Sequence, residues 1–198
     1  MFSHFTENSY EKALIGLFQA MGYEYAYGPN IERNYQEPYY LDQIWASLPM
    51  VNPSKHPNAI SEAVKKLTNI DSGDLAQKNG VFMDYLQNGI PVAYHDGKEV
   101  RHDIVYLVDY ENTDRDTFQI INQWTYVEKS EKRADLIVFV NGLPLVLVEL
   151  KSPSREETDA SAAYRQIKNY MHEIPSMFTY NAFCVMSDML CSKAGTIT

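Results

Sequence analysis

The sequence predicts an α/β fold with a central mixed β-sheet flanked by helices, and three observations carry that expectation. Apolar residues recur at helical spacing near the amino terminus and again between residues 154 and 174. Between them lie four short runs rich in β-branched and aromatic residues: IVYLVDY (104–110), FQIINQWTY (118–126), ADLIVFV (134–140) and LPLVLVEL (143–150). The last two are almost free of polar residues in their middles, as strands buried on both faces at the centre of a sheet are.

Taken in order, residues 7–22 place Leu14, Leu17, Phe18 and Met21 on one helical face, with Thr6 as a cap and Gly22 as a stop. A loop rich in Pro, Asn and Tyr follows. Helices are expected over about 58–70 and 74–88, joined by the DSGD turn around Gly73. The four strand-like runs come next, then a helix over 154–174 through Ala163, Ile167, Tyr170 and Met171. A last strand, NAFCVMS (181–187), precedes a small-residue tail. The chain thus reads as one domain, 1–198, helical to about 100 and built on the sheet from about 100 to 190.

Composition narrows the possibilities. With 198 residues and 45% hydrophobic content the chain can bury a core unaided, so a metal would serve chemistry rather than folding. Two cysteines, Cys184 and Cys191, and histidines without ligand spacing, His4 among them, argue against a zinc site or a disulfide framework. No leader-like or membrane-length apolar run is visible, which predicts a cytoplasmic protein without membrane contact. The net charge of −9 opposes a nucleic-acid partner. Yet Glu128 to His172 holds seven basic and seven acidic residues, so the acidity lies elsewhere.

Polar residues at the ends of buried strands need a reason, and Asp135, Glu149 and Lys151 are such residues. Asn141-Gly142 between two runs signals a hairpin. A strict two-residue loop pairs Val140 with Leu143 and Asp135 with Val148, putting Glu149 on the far face. A three-residue loop with Gly142 at positive φ pairs Asp135 with Glu149, or brings them diagonally close on one side, and that form is expected; Lys151 then shares their face. Two adjacent carboxylates repel unless a cation lies between them. Magnesium, held by one or two carboxylates plus a substrate phosphate, fits, with the Leu150 carbonyl as a further oxygen and manganese as a substitute. The ion would lower the pKa of a bound water, and Lys151 would orient the nucleophile.

This arrangement resembles the PD-(D/E)xK nuclease superfamily, its motif reading Asp135 and Glu149-Leu150-Lys151. RADLIVFVNGLPLVLVELKSP, AAYRQIKNY, FTYNAFCVMSD and the opening FTENSYEKALIGLFQAMGYEY resemble the amino-terminal nuclease domain of the restriction subunit of type I restriction-modification enzymes. Ala134 stands where the superfamily name has proline. Gln166 and Tyr170 fit the QxxxY helix of the RecB-like branch, and their spacing of four puts them on one face; the plainer reading is a core tyrosine and a solvated glutamine. Glu11 is a candidate to add a carboxylate or hold a water, with Glu7 competing and a surface role equally open.

The resemblance implies a restriction-endonuclease-like core that cuts double-stranded DNA, with methylation and specificity subunits as partners. No GxxxxGK[ST] loop is present, so ATP would be used only by a motor domain outside this segment. Two rival readings remain: a RecB-like repair or recombination nuclease, and a non-catalytic interaction module in which the triad is a salt bridge.

Overall fold

The computed structural model of the protein describes residues 6–71, 73–151, 160–188 and 191–197, the side chains of 160–163 apart. His4 and residues 154–159 of the expected last long helix lie outside these, as does the side chain of Ala163.

Helix α1 (Glu7–Ala20) begins where Thr6 and Ser9 exchange hydrogen bonds in a capping box, and it ends before Gly22, whose φ is 94°. Strand β1 (Glu24–Tyr27) and helix α2 (Leu41–Val51) occupy the segment expected to be loop. Their signals are weak for physical reasons. The strand has four residues, and α2 starts at Tyr40 without a side-chain cap and contains Pro49. Helices α3 (Pro57–Thr68) and α4 (Leu75–Asn88) follow as expected, α4 opened by an Asp74–Gln77 capping box.

The run expected as a strand over 104–110 is a strand only at its start. Strands β2 (Ile90–His95) and β3 (Val100–Val105) pair antiparallel as a separate two-stranded sheet. Pairing stops at Tyr106 because Asn52 takes over its backbone: Oδ1 accepts from the Tyr106 N–H at 2.9 Å and Nδ2 donates to its carbonyl at 2.8 Å.

Strands β4 (Phe118–Val127), β5 (Glu131–Val140) and β6 (Leu143–Leu150) come next in the chain. Helices α5 (Ala160–Glu173) and α6 (Pro175–Thr179) separate them from β7 (Phe183–Ser187) and from β8 (Ser192–Gly195), the latter formed by part of the expected tail. The six-stranded mixed sheet runs β1-β4-β5-β6-β7-β8, with β1∥β4 and β6∥β7 parallel and the rest antiparallel. The two most apolar strands, β5 and β6, are central.

One face carries α1, whose Ile15, Leu14 and Phe18 pack on Ile120, Leu136, Val148 and Leu150. The other carries α5 and α6, where Ile167, Tyr170 and Phe178 cover Ile137, Phe139 and Leu147. A third cluster unites α2, α3, α4 and the β2–β3 hairpin around Ile44, Leu67 and Phe82, takes in Tyr180 at the end of α6, and reaches the six-stranded sheet through Leu143. Among the described residues no helix is long and apolar enough to cross a membrane.

Candidate active site

The site is set by the register between β5 and β6. Asn141 (φ 52°) and Gly142 (φ 82°) form a two-residue turn closed by Val140 opposite Leu143, so the expected three-residue loop is not what the chain adopts. The tight turn is enforced from outside. Asn141 is buried and spends its amide on Leu107 O and Asp116 and its Oδ1 on the Thr117 N–H. A Cβ on Gly142 would lie 2.5 Å from the Tyr40 carbonyl.

The register nonetheless shifts within the hairpin arm. Phe139 faces Pro144, whereas Val138 faces Val146, leaving Leu145 outside the ladder as a bulge. On its other side the Leu145 carbonyl accepts from Ala182 N–H at 2.8 Å and Asn181 Nδ2 at 3.2 Å. Beyond the bulge the pairing resumes and runs as far as Leu136 opposite Val148, and the next residues outward on the two strands are Asp135 and Glu149. The two carboxylates thus come to the same end of the sheet through a bulge instead of a longer loop.

At this sheet end Asp135 Oδ2 accepts from the Leu150 N–H at 2.9 Å. Glu149 is 1% exposed, and its Oε1 accepts from Lys151 Nζ at 2.8 Å and from Gln166 Nε2. Glu149 Oε2 is buried and has no hydrogen-bond donor among the described residues. Lys151 Nζ also donates to the Leu150 carbonyl at 2.9 Å, the oxygen expected to face a metal, and the Lys151 N–H is tied to Ser187 O. Burial, then the negative charge of Asp135, push the Glu149 acid up to about 8 against the opposing pull of Lys151.

Gln166 and Tyr170 both face the site from α5. Gln166 Nε2 also donates to Tyr170 Oη at 2.9 Å, and Tyr170 O–H donates to Arg133 O at 3.3 Å. Tyr170 is buried as well, so it serves both the core and the site. Burial and the nearby Glu149 charge hold its phenol up at about 12.

Glu11 is not brought to the carboxylate pair. Its oxygens accept from Asn122 Nδ2 at 2.6 Å and Gln123 Nε2 at 3.0 Å. Successive strand residues normally point to opposite faces; Gln123, at φ 55°, breaks the alternation so that both amides reach one carboxylate. Glu7 and Glu11 line a cleft beside α1 instead. No cluster of three or more His, Cys, Asp or Glu side chains suited to a metal occurs among the described residues. The Asn122-Gln123 pair was the overlooked signal, two amides in mid-run of an apolar strand.

The family model described as type I restriction enzyme R protein N terminus matches residues 4–196. The chain belongs to that family. The type I restriction enzyme HindI endonuclease subunit of Haemophilus influenzae is 33% identical over 97% of the chain. The putative type I restriction enzyme MjaIXP endonuclease subunit of Methanocaldococcus jannaschii is 31% identical over 95% of it. A Staphylococcus aureus type I restriction endonuclease subunit shares 28% over 67% of the chain. This R-protein N terminus spans 19% of the length of each of the first two relatives.

Proposed function

We propose that this R-protein N terminus is the DNA-cutting module of a type I restriction enzyme, hydrolysing phosphodiester bonds of double-stranded DNA with magnesium held by Asp135 and Glu149. The observation that carries the reading is the buried Oε2 of Glu149, with no hydrogen-bond donor among the described residues, beside a second carboxylate. A salt bridge to Lys151 engages Oε1 alone, and burial together with the Asp135 charge outweighs that one cation in raising the pKa of the Glu149 acid. A hard cation with oxygen ligands fits the donor set, manganese included.

Bound there, the ion supplies electrophilic activation of the phosphate and charge stabilisation. The chain's own groups divide the remaining work. Asp135, held by the Leu150 N–H, and Glu149, held by Gln166, present oxygens in fixed directions. Lys151 directs its ammonium to the attacking water and to the charge growing on the phosphate oxygens. Tyr170 keeps Gln166 in place by bridging it to β5. The water oxygen gives up a proton and bonds to phosphorus as the bond to the leaving sugar oxygen breaks, and that oxygen takes up a proton, so the step is neutral in protons overall. Methylation and specificity subunits are the partners this reading implies, ATP belongs to a motor elsewhere in the subunit, and the setting is the cytoplasm.

The test is plasmid cleavage with magnesium by the full-length subunit assembled with its partners, with ATPase followed in parallel. Glu149→Ala and Lys151→Ala are expected to abolish cutting while ATP hydrolysis continues. Undiminished cutting by both variants would refute the assignment and favour a binding module.

A further inference from the structure

A second feature opens at the same end of the sheet. Between the first turns of α1 and strands β1 and β4 lies a cleft of about 510 Å³, within the size range of pockets that hold small ligands. Its walls include Lys12, Tyr25, Tyr27, Gln123 and Arg133. Arg133 is two residues before Asp135 on β5, and Gln123 stands across from Asp135, between the pairs Asn122–Leu136 and Trp124–Ala134. The cleft and the carboxylate pair therefore share strand β5, which carries both Arg133 and Asp135.

Its chemistry is uneven in a useful way. Arg133 and Lys12 are exposed and make no ion pair among the described residues. Glu11 is occupied by its two amides. Tyr25 and Tyr27, each 41% exposed, project from one side of β1, an edge strand. The Tyr25 hydroxyl is tied to Asn122, whereas that of Tyr27 has no hydrogen bond among the described residues. An arginine free to take a phosphate beside an aromatic face open to a base is the pairing that binds single-stranded nucleic acid, and stacking of this kind tolerates any sequence.

We propose that this cleft takes one unpaired nucleotide of the strand to be cut, Arg133 holding its phosphate and Tyr27 stacking on its base. This rests on the nuclease reading. The nucleotide must be unpaired because a base within a duplex has both faces covered by its neighbours. The module would then recognise locally opened DNA, which lets it act without reading sequence.

The test is photocrosslinking of the intact subunit to DNA carrying a single 5-iodouracil, without divalent ions so that nothing is cut. The label is placed either in a one-nucleotide bulge or at the same position in a full duplex. The expected result is an adduct in the peptide containing Tyr25 and Tyr27, about ten-fold stronger for the bulge. Tyr27→Leu removes the adduct, Tyr27→Phe keeps it, and Arg133→Gln lowers it about ten-fold and flattens its salt dependence by one phosphate contact. Equal adducts from bulge and duplex, or none in that peptide, overturn the proposal. Plasmid cutting by Glu149→Ala is scored separately, so the cleft can fail while the nuclease reading stands.

Discussion

Replacing Glu149 by glutamine keeps the side chain's shape and its acceptor for Lys151 and Gln166 but removes the charge. In the ion-free protein burial and Asp135 raise this acid from 4.5 to about 8. Between those values the folded state holds a proton that the unfolded chain has released, so stability falls as pH rises through the window and levels off above it. At about 1.4 kcal/mol per pKa unit, the penalty reaches about 3 kcal/mol at pH 7. It is nearly absent below pH 4.5. Glu149→Gln does not carry it. Thermal melts in chelator at pH 5 and pH 8 therefore give a wild-type Tm that drops, relative to the variant, by roughly 10 °C for a chain of this size. Taking the difference between the two proteins cancels the titration of other groups. Parallel pH profiles would refute the reasoning, because they would mean that the carboxylate already has a counter-charge or ready access to water.

Other outcomes follow from the same geometry. Magnesium must displace the Glu149 proton, so its apparent affinity by titration calorimetry is expected to rise from pH 6 to pH 8 by up to about ten-fold per pH unit. Asp135→Asn keeps an acceptor for the Leu150 N–H, so it should cost about 1 kcal/mol or less in denaturant unfolding while abolishing the heat of ion binding. Tyr170→Phe removes the bridge from Gln166 to Arg133 O; about 1 kcal/mol of stability is lost, and cutting slows less than in Glu149→Ala. Gly142→Ala forces a Cβ to 2.5 Å from Tyr40 O at a φ of +82°. It should cost at least about 2 kcal/mol in the same unfolding assay.

Elements with local signals were legible: Thr6 capped α1, the DSGD turn preceded α4, and the apolar runs of β5 and β6 placed them at the centre of the sheet. What escaped depends on contacts distant in sequence. Strand β1 exists because β4 lies alongside it, β3 ends where Asn52 competes for Tyr106, and β8 forms against β7. At the site, Asp135 and Glu149 were expected together through a three-residue loop that the chain does not form, and only the shared helical face of Gln166 and Tyr170 could be read from spacing. The bulge could not, since the groups that capture Leu145 O, from Asn181 and Ala182, lie more than thirty residues away. The same holds for Glu11, whose helical position says nothing of the two amides waiting on β4.

The bulge at Leu145 has a consequence for which lengths of chain are permitted here. Thirteen residues separate Asp135 from Glu149. A two-residue turn between equal arms leaves an even number, so the odd count works only because one residue is excluded from the pairing. Parity, rather than length, protects the acidic pair. Excising Leu145 restores an even count and leaves Asp135 facing Glu149, whereas excising any single neighbour in either arm, with the bulge retained, turns one carboxylate to the opposite side of the sheet.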